Sequence, residues 1–393
     1  MEGEFFIDVT QSCRSSNNSG IQVVTRNLYH QISKFFPITP ITWDNLICRY
    51  SHLNHQELQN LHSPFGDNYK AKARPNKEEN PFYKEIYTAL TRLNKRINFK
   101  IKERKNIIFF PEVFRDKRLS YLPKILDSKL KKVAIFYDAN VLRFPHKTPP
   151  KRLKNFENYL DFISNCDSIS CISNESKITL ERTAGINNHL QKLDVHHLPV
   201  SKPINQLSNN VQKIPLILCV STLGYNKNHL TLLQAVENLW KKGLLFKLEL
   251  VGQSDPSWAP KVFNIIDQLK EKKRPIKWLR HISQDELEIK YSECQFTVYP
   301  SLFEGFGLPI LESLIRGKPC ICGSNGALGE VSRGGGCLNI ENQSDAKEIE
   351  KSIFKLLNDA ELLKKLTLET KRRVYEDWNS YTRKILTFFS ILK

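Results

Sequence analysis

The sequence predicts an α/β protein made of two doubly wound parallel-sheet domains that face each other across a cleft. Three observations lead there. The 393 residues are enough for two cores of ordinary size. Short apolar, β-rich runs alternate with segments of helical period from residue 5 to a helix starting near Glu175, and the same alternation restarts at residue 216. Between the two runs, residues 199–215 turn polar and carry Pro199, Pro203, Asn205, Asn209, Asn210 and Pro215, which favour neither helix nor strand.

Taken in order, Phe5–Val9 reads as the first strand and Thr10–Ser19 as a polar loop. Gly20 opens a helix whose Ile21, Val24, Leu28 and Ile32 recur at helical spacing. Strands follow at Ile107–Phe110 and Val133–Tyr137, then a helix from about Arg152 to Ser164, a strand at Ser168–Ser173 and the helix near Glu175. The second run gives strands Leu216–Ser221, Lys247–Val251, Ile276–Leu279 and Gln295–Pro300, with helices His229–Lys241, Pro260–Lys272 and Asp285–Ser292 between them. Pro309 suits the first position of a further helix, Ile310, Leu311, Leu314 and Ile315 give it a buried face, Gly317 ends it, and Pro319–Cys322 starts another strand. The last helix, Asp377–Leu392, carries Trp378, Tyr381, Phe388 and Phe389 and comes too late for the second sheet. The expected domains are therefore 1–198, a linker at 199–215, 216–376, and a terminal helix at 377–393 that crosses back to the first.

An apolar content of 40% with 25% charge is that of a soluble globular protein. No apolar run is long enough to span a bilayer and Met1–Asp8 lacks a basic leader, so a cytoplasmic location is expected. The nine cysteines show neither CxxC pairs nor zinc spacing, and read as buried thiols of a reducing compartment. Charge is uneven: residues 70–132 hold 19 Lys/Arg against 7 Asp/Glu, +12 of the net +18. Such a field attracts nucleic acid, anionic lipid or phosphorylated substrates alike. No nucleic-acid module accompanies it, so nucleic acid is not expected as a partner. Within it, Pro81–Ile97 places Phe82, Ile86, Leu90, Leu93 and Ile97 near helical spacing, with Lys84, Arg92, Lys95 and Arg96 interspersed. Two readings stand: a helix packed on the first domain, or a helix resting on an anionic membrane surface.

The chemistry concentrates in "YPSLFEGFGLPILESLIRGKPCICGS", residues 299–324. Glu304 and Glu312 flank a Gly-Phe-Gly turn that leaves a strand and feeds a helix N-terminus, where open α/β sheets bind ligands and where free amides favour an anion. Taken alone, two glutamates are ordinary solvated charges. A carboxylate can, however, accept two hydroxyls of a diol, and glycines let backbone approach a ligand closely. In "LCVSTLGYNKNHLTLLQAVENLW", residues 218–240, Lys227 lies in a second strand-to-helix loop.

Glu304-Gly305-Phe306-Gly307-Leu308-Pro309 followed by Glu312 resembles the retaining glycosyltransferases of family four, whose type B (GT-B) fold consists of two Rossmann-like domains. The resemblance implies that Glu304 holds donor-sugar hydroxyls, that the amides of Gly305, Phe306, Gly307 and Leu308 meet sugar and diphosphate, and that Glu312 accepts both ribose hydroxyls. It implies that Lys227 reaches the donor diphosphate, beside Thr222, where the family often has an arginine nearby. "IKWLRHISQDEL", residues 276–287, is similar to the stretch that packs the base and suggests His281 and Ile282 as base neighbours, with Arg280 where a glycine is common. In the first half, Gly20 would face the donor phosphate. "VAIFYDANVLRFP" resembles the strand ending in His-Asp, with Asp138 kept and Tyr137 in the histidine position. Residues 41–106 resemble nothing nameable. "GSNGALGE", residues 323–330, reads as a loop at the cleft rim, and Gly334–Gly336 as a turn.

The function implied is transfer of a hexose, mannose- or rhamnose-type favoured, from a nucleotide diphosphate sugar to a saccharide or lipid-linked saccharide with anomeric retention, in surface polysaccharide assembly. Glu304, Lys227 and Asp138 are the catalytic candidates. Asp138 is the nearest carboxylate for a covalent path, although same-face attack is favoured. No DxD-like motif is present, so neither metal nor other cofactor is expected beyond the nucleotide sugar as co-substrate. A nucleotide-sugar epimerase of the same fold and a non-catalytic nucleotide-sugar-binding homologue are the alternatives.

Overall fold

The computed structural model describes residues 3–15, 19–62, 89, 92, 97, 106–126, 129–184, 192–203, 213–254, 258–280 and 282–392. The chain divides into two compact units, Met1–Leu198 with Trp378–Lys393, and Pro199–Asp377.

The first unit is built on a seven-stranded sheet of β1 (Phe5–Asp8), β2 (Thr39–Asp44), β3 (Arg49–His52), β4 (Ile107–Phe110), β5 (Lys131–Phe136), β6 (Ser168–Cys171) and β7 (Lys192–Val195), in the order β3-β2-β1-β4-β5-β6-β7. All pairings are parallel except β2 with β3. Central strands are buried along their whole length, which is why β4 reads as an unbroken apolar run and β1 as one broken only by Asp8 at its end. The outer strands were harder to read: β2, paired between β3 and β1, contains Pro40, and the half-exposed Lys-Leu-Asp-Val of the edge strand β7 carries two charges.

The expected polar loop after β1 holds instead a helical turn at Thr10–Cys13. Its cause is Glu112, a buried carboxylate from the loop after β4, which accepts hydrogen bonds from the amides of Gln11 (2.7 Å) and Ser12 (2.8 Å) and from Ser12 Oγ (2.5 Å). Beside it, Asp8 accepts from Thr10 Oγ1 (2.5 Å), Tyr50 Oη (2.7 Å) and Arg118 Nη1 (2.6 Å). Acids from two strand ends thus staple the loop by saturating backbone donors that would otherwise need water.

Most of the segment suggested for a membrane surface, Pro81–Ile97, lies outside the described residues. Of its described members, Ile97 packs in the core and Arg92 is buried, pairing with Asp44 at 2.9 Å and with Glu57. Arg118 is likewise buried between Asp8 and Asp116. These two cations of the basic stretch are neutralised inside the fold and present no charge to a surface.

The second unit is a six-stranded, wholly parallel sheet of β8 (Leu216–Val220), β9 (Lys247–Val251), β10 (Ile276–Leu279), β11 (Phe296–Tyr299), β12 (Cys320–Gly323) and β13 (Cys337–Ile340), ordered β10-β9-β8-β11-β12-β13. Helices His229–Lys241, Ala259–Glu271, Gln284–Glu293 and Leu308–Ile315 form the crossovers. "GSNGALGE", expected as a loop, contains the helix Gly326–Ser332. Gly329 permits it, because a Cβ there would lie 2.1 Å from the carbonyl oxygen of Ser324. Helices Ala346–Asn358 and Ala360–Arg372 follow, each started by an aspartate, Asp345 and Asp359, that accepts a first-turn amide. All nine cysteines are free thiols, and only Cys48 and Cys337 are not fully buried. Among the described residues, no helix is long and apolar enough to cross a membrane.

The terminal helix Trp378–Phe388 belongs to the first unit and packs on the helix Gly20–Ile32. Ile385, Leu386 and Phe389 are fully buried, the Phe389 ring lies 5.4 Å from that of Phe109 on β4, and Lys131 Nζ donates to the Phe389 carbonyl at 2.5 Å. Phe389→Ala is therefore expected to destabilise the first unit by about 3–5 kcal/mol. Denaturant unfolding checks this; a loss under about 1 kcal/mol would mean that the terminal helix is peripheral to that core.

Candidate functional site

The strand order of the second unit reverses between β8 and β11: β9 and β10 lie to one side of β8, and β12 and β13 to the other side of β11. At such a point the crossovers leave in opposite directions and open a crevice at the carboxyl ends of the strands. The loops after β8 and β11 both emerge there.

Hydrogen bonds fasten these loops to each other. The Asn226 carbonyl accepts from Leu302 N (2.8 Å), and Asn226 Nδ2 donates to the Phe303 carbonyl at 3.3 Å. Asn228 adopts the left-handed conformation (φ 58°), which its short amide tolerates, and starts the helix His229–Lys241. Its Nδ2 donates to the carbonyls of Gln343 (2.6 Å) and Pro300 (3.3 Å). On the other side, Leu223 N donates to the Gln253 carbonyl at 2.8 Å, fixing the loop to the one after β9.

This frame brings Lys227 and Glu304 together. Lys227 Nζ is ion-paired with Glu304 Oε1 and donates to Tyr299 Oη at 3.0 Å. Tyr299 Oη in turn donates to Glu304 Oε1 at 2.8 Å, and Ser301 Oγ donates to the same oxygen. Burial, and then the charge of Glu304, push the Tyr299 phenol well above its ordinary value, so it remains a donor. All three donors converge on Oε1, which leaves Oε2 to accept from a ligand's hydroxyls, and Lys227 keeps one of its three N–H donors for an oxyanion. The side chains are only 19% and 11% exposed, where charge acts more strongly than in water.

Gly307 caps the helix Leu308–Ile315 at φ 113°, a left-handed value that requires glycine, while Phe306 is buried beside it and anchors the turn. Pro309 falls in the first turn of this helix, and its early amides have no side-chain cap. Glu312 lies one turn further in. Burial raises its carboxyl above the ordinary range, Arg316 opposing this and Glu288 adding to it. The Arg316 guanidinium is held by Glu288 (Nε to Oε2, 2.7 Å) and donates to the Glu312 carbonyl at 2.7 Å, so Glu312's own carboxylate is not consumed by it.

Of the remaining expected residues, Thr222 is exposed in the Lys227 loop, and Ile282 is half-buried against the cluster of Leu216, Leu218, Val251 and Tyr291. His281 lies outside the described residues. Gly20 and Asp138 belong to the first unit, Gly20 exposed at a helix start and Asp138 accepting from the Asn140 amide at 2.9 Å. The Tyr137 hydroxyl is committed to the Pro111 carbonyl (2.7 Å) in a buried site, so it does not stand in for a ligand-facing histidine. Tyr299 and Ser301 were not singled out in the sequence, although they sit two apart around Pro300, on one side of an emerging strand. Glu288 and Arg316 gave no signal, since their pairing spans 28 residues. His229, next to the Lys227 loop, is neutral: burial lowers it to about 3 and its Nε2 lies 3.1 Å from Ser221 Oγ. Among the described residues no group of three or more His, Cys, Asp or Glu is placed to hold a metal ion.

Residues 202–373 match the model of the family Glycosyl transferases group 1. Escherichia coli O-antigen chain mannosyltransferase B is 26% identical over 246 residues, 58% of this chain and 61% of that one. The MMP alpha-(1->4)-mannosyltransferase of Mycolicibacterium hassiacum is 31% identical over 102 residues, 25% of each chain. The match thus spans about three fifths of the first relative's length and a quarter of the second's. Among solved structures, a sucrose-phosphate synthase from Thermosynechococcus elongatus superposes with TM-score 0.68 at 14% identity, covering 99% of this chain and 98% of that one. Anabaena HepE, solved with UDP and glucose, gives 0.62 at 14% identity over 99% and 100%. At such identities the likeness is one of fold, and that fold is the expected type B pair of Rossmann-like domains. The family match falls almost wholly within the second unit, and includes its reversed strand order and its Glu304 to Glu312 motif.

Proposed function

We propose that this protein is a glycosyltransferase that moves a hexose, with mannose favoured, from a nucleotide diphosphate sugar to a saccharide or lipid-linked saccharide acceptor in surface polysaccharide assembly. The observation that carries the reading is the Lys227, Tyr299, Ser301 and Glu304 cluster at the switch point of the second sheet. A fixed ammonium and the amides of Gly305 to Leu308 meet sugar and diphosphate, while Glu304 Oε2 orients sugar hydroxyls and Glu312 takes the ribose diol. The preference for mannose rests on the names of relatives such as the O-antigen mannosyltransferase. Retention follows the family resemblance, with the departing phosphate accepting the acceptor's proton on the same face. The protein works at the cytoplasmic side of the membrane in this reading.

Glu304→Gln and Glu312→Ala are both expected to cut transfer by orders of magnitude while leaving the fold intact, and to differ in binding. Glu312→Ala weakens the free nucleotide diphosphate, whereas Glu304→Gln spares it and impairs the sugar donor. Calorimetry that finds parent-like binding of both ligands, with normal turnover, would remove the site assignment. Lys227→Ala should cost about 3 kcal/mol of transition-state stabilisation, and parent activity should persist in EDTA. An EDTA-treated enzyme that is dead and revived by magnesium or manganese contradicts this charge assignment.

Glu312 also predicts a pH dependence. A diol is accepted by the ionised carboxylate, and burial raises the pH at which Glu312 takes up its proton. Nucleotide affinity should therefore fall on acidification with a midpoint above the ordinary carboxylate value of 4.5. In Glu312→Gln affinity should be low throughout and this step absent; a step that survives the substitution assigns it to another group.

A further inference from the structure

Glu312 and Arg316 stand four residues apart at the end of the helix Leu308–Ile315, the spacing at which an acid and an arginine meet on a helix face. A helix of this sequence by itself would pair them. The structure does not: among the described residues no ion pair joins the two, and the guanidinium turns to Glu288 on the helix Gln284–Glu293. It grips that carboxylate with two prongs, Nε to Oε2 at 2.7 Å and Nη2 to Oε1, while its Cζ lies 4.7 Å from the centre of the Tyr291 ring. Nη1 donates to the main-chain carbonyl of Glu312 at 2.7 Å, so the guanidinium stays within reach of that residue.

Glu288 is buried, with Gln284 Nε2 donating to its Oε1 at 3.0 Å. A carboxylate at that depth needs a cation. Lys290, two residues on, is taken by Glu249 (3.2 Å) and Glu293 (3.0 Å), which leaves Arg316 as the cation paired with Glu288 among the described residues. Conversely, Glu288 and Glu312 are the acids that act on the charge of Arg316, beside the phenol of Tyr291. One guanidinium thus stands between two carboxylates. Its forked edge fits one carboxylate at a time, and in this structure that one is Glu288.

We propose that Glu288 is a positioning residue for the nucleotide site: by holding Arg316 it keeps the carboxylate of Glu312 available to a ligand, and without its charge Arg316 turns onto Glu312 and competes with the ligand's hydroxyls. The competition of the two acids for Arg316 stands by itself. Its effect on nucleotide binding rests on the reading of Glu312 as the acceptor of the ribose diol.

The test uses the full chain, with UDP, GDP and ADP titrated by calorimetry and the tightest of them carried through the variants. Glu288→Gln keeps the size of the side chain, and should weaken that nucleotide by about tenfold or more, the loss of one charge-assisted contact. Adding Arg316→Gln should restore most of the affinity, because it removes the competitor and leaves no buried charge unpaired. Parent-like affinity in Glu288→Gln, or a loss that Arg316→Gln does not relieve, overturns the proposal. A second measurement needs no ligand. Glu312→Gln should lower the melting temperature more in the Glu288→Gln background than in the parent, since a pair with Arg316 is lost only there. Equal losses in the two backgrounds mean that Arg316 does not turn, and overturn the proposal as well. Nucleotide affinity that is unchanged in Glu312→Gln alone removes the diol reading instead, and the melting comparison then decides the competition for Arg316.

Discussion

The second unit depends on the reversal of strand order between β8 and β11. Lys227 and Glu304 are 77 residues apart in the chain, yet they meet because the strands that precede them are neighbours in the sheet. The crossovers run away on opposite sides, which opens a crevice at these two strand ends bordered by their loops. The loops hold shape by spending their backbone groups on each other through Asn226 and Asn228, leaving side chains for chemistry. An isolated ammonium or carboxylate at this depth would be unfavourable; here the two are paired, and Tyr299 and Ser301 hold the carboxylate in place.

The first unit solves a similar problem with a different outcome. Its strand order also reverses, between β1 and β4, and acids again gather there, Asp8 from one strand end and Glu112 from the loop after the other. Here, however, the acceptors are saturated from within: Asp8 by Thr10, Tyr50 and Arg118, Glu112 by Ser12 and Gln11. Burial and the charge of Asp8 raise Glu112 to about 7 against those donors. The two reversal points therefore differ in what remains available. The second unit leaves Glu304 Oε2 and a Lys227 donor uncommitted, whereas the first spends both its acids on donors of its own fold.

Much of this was legible in the sequence because it rests on local rules. Apolar runs of four to six residues marked the central strands, helical spacing marked Gly20–Ile32 and His229–Lys241, and Gly307 before Pro309 marked a turn into a helix, since only glycine accepts φ 113° there. The Glu304 to Glu312 motif is contained in one strand-loop-helix, so residue types and spacing carried it. Outer strands escaped because the edge strand β7 is half exposed and β2, next to the other edge, contains a proline, so neither shows a clean period. The helical turn at Thr10–Cys13 escaped because a glutamate about 100 residues away organises it.

The sequence by itself determined the class of fold, the places of the central elements, and the two loops that carry Lys227 and Glu304, because each depends on residues within one turn or one strand of each other. Only the tertiary structure decided which charges are available. It buried Arg92 and Arg118 against acids, spent the Tyr137 hydroxyl on a carbonyl, and gave Arg316 to Glu288. A charge's worth depends on its partner and its exposure, and both are set by strand neighbours that the chain order does not reveal.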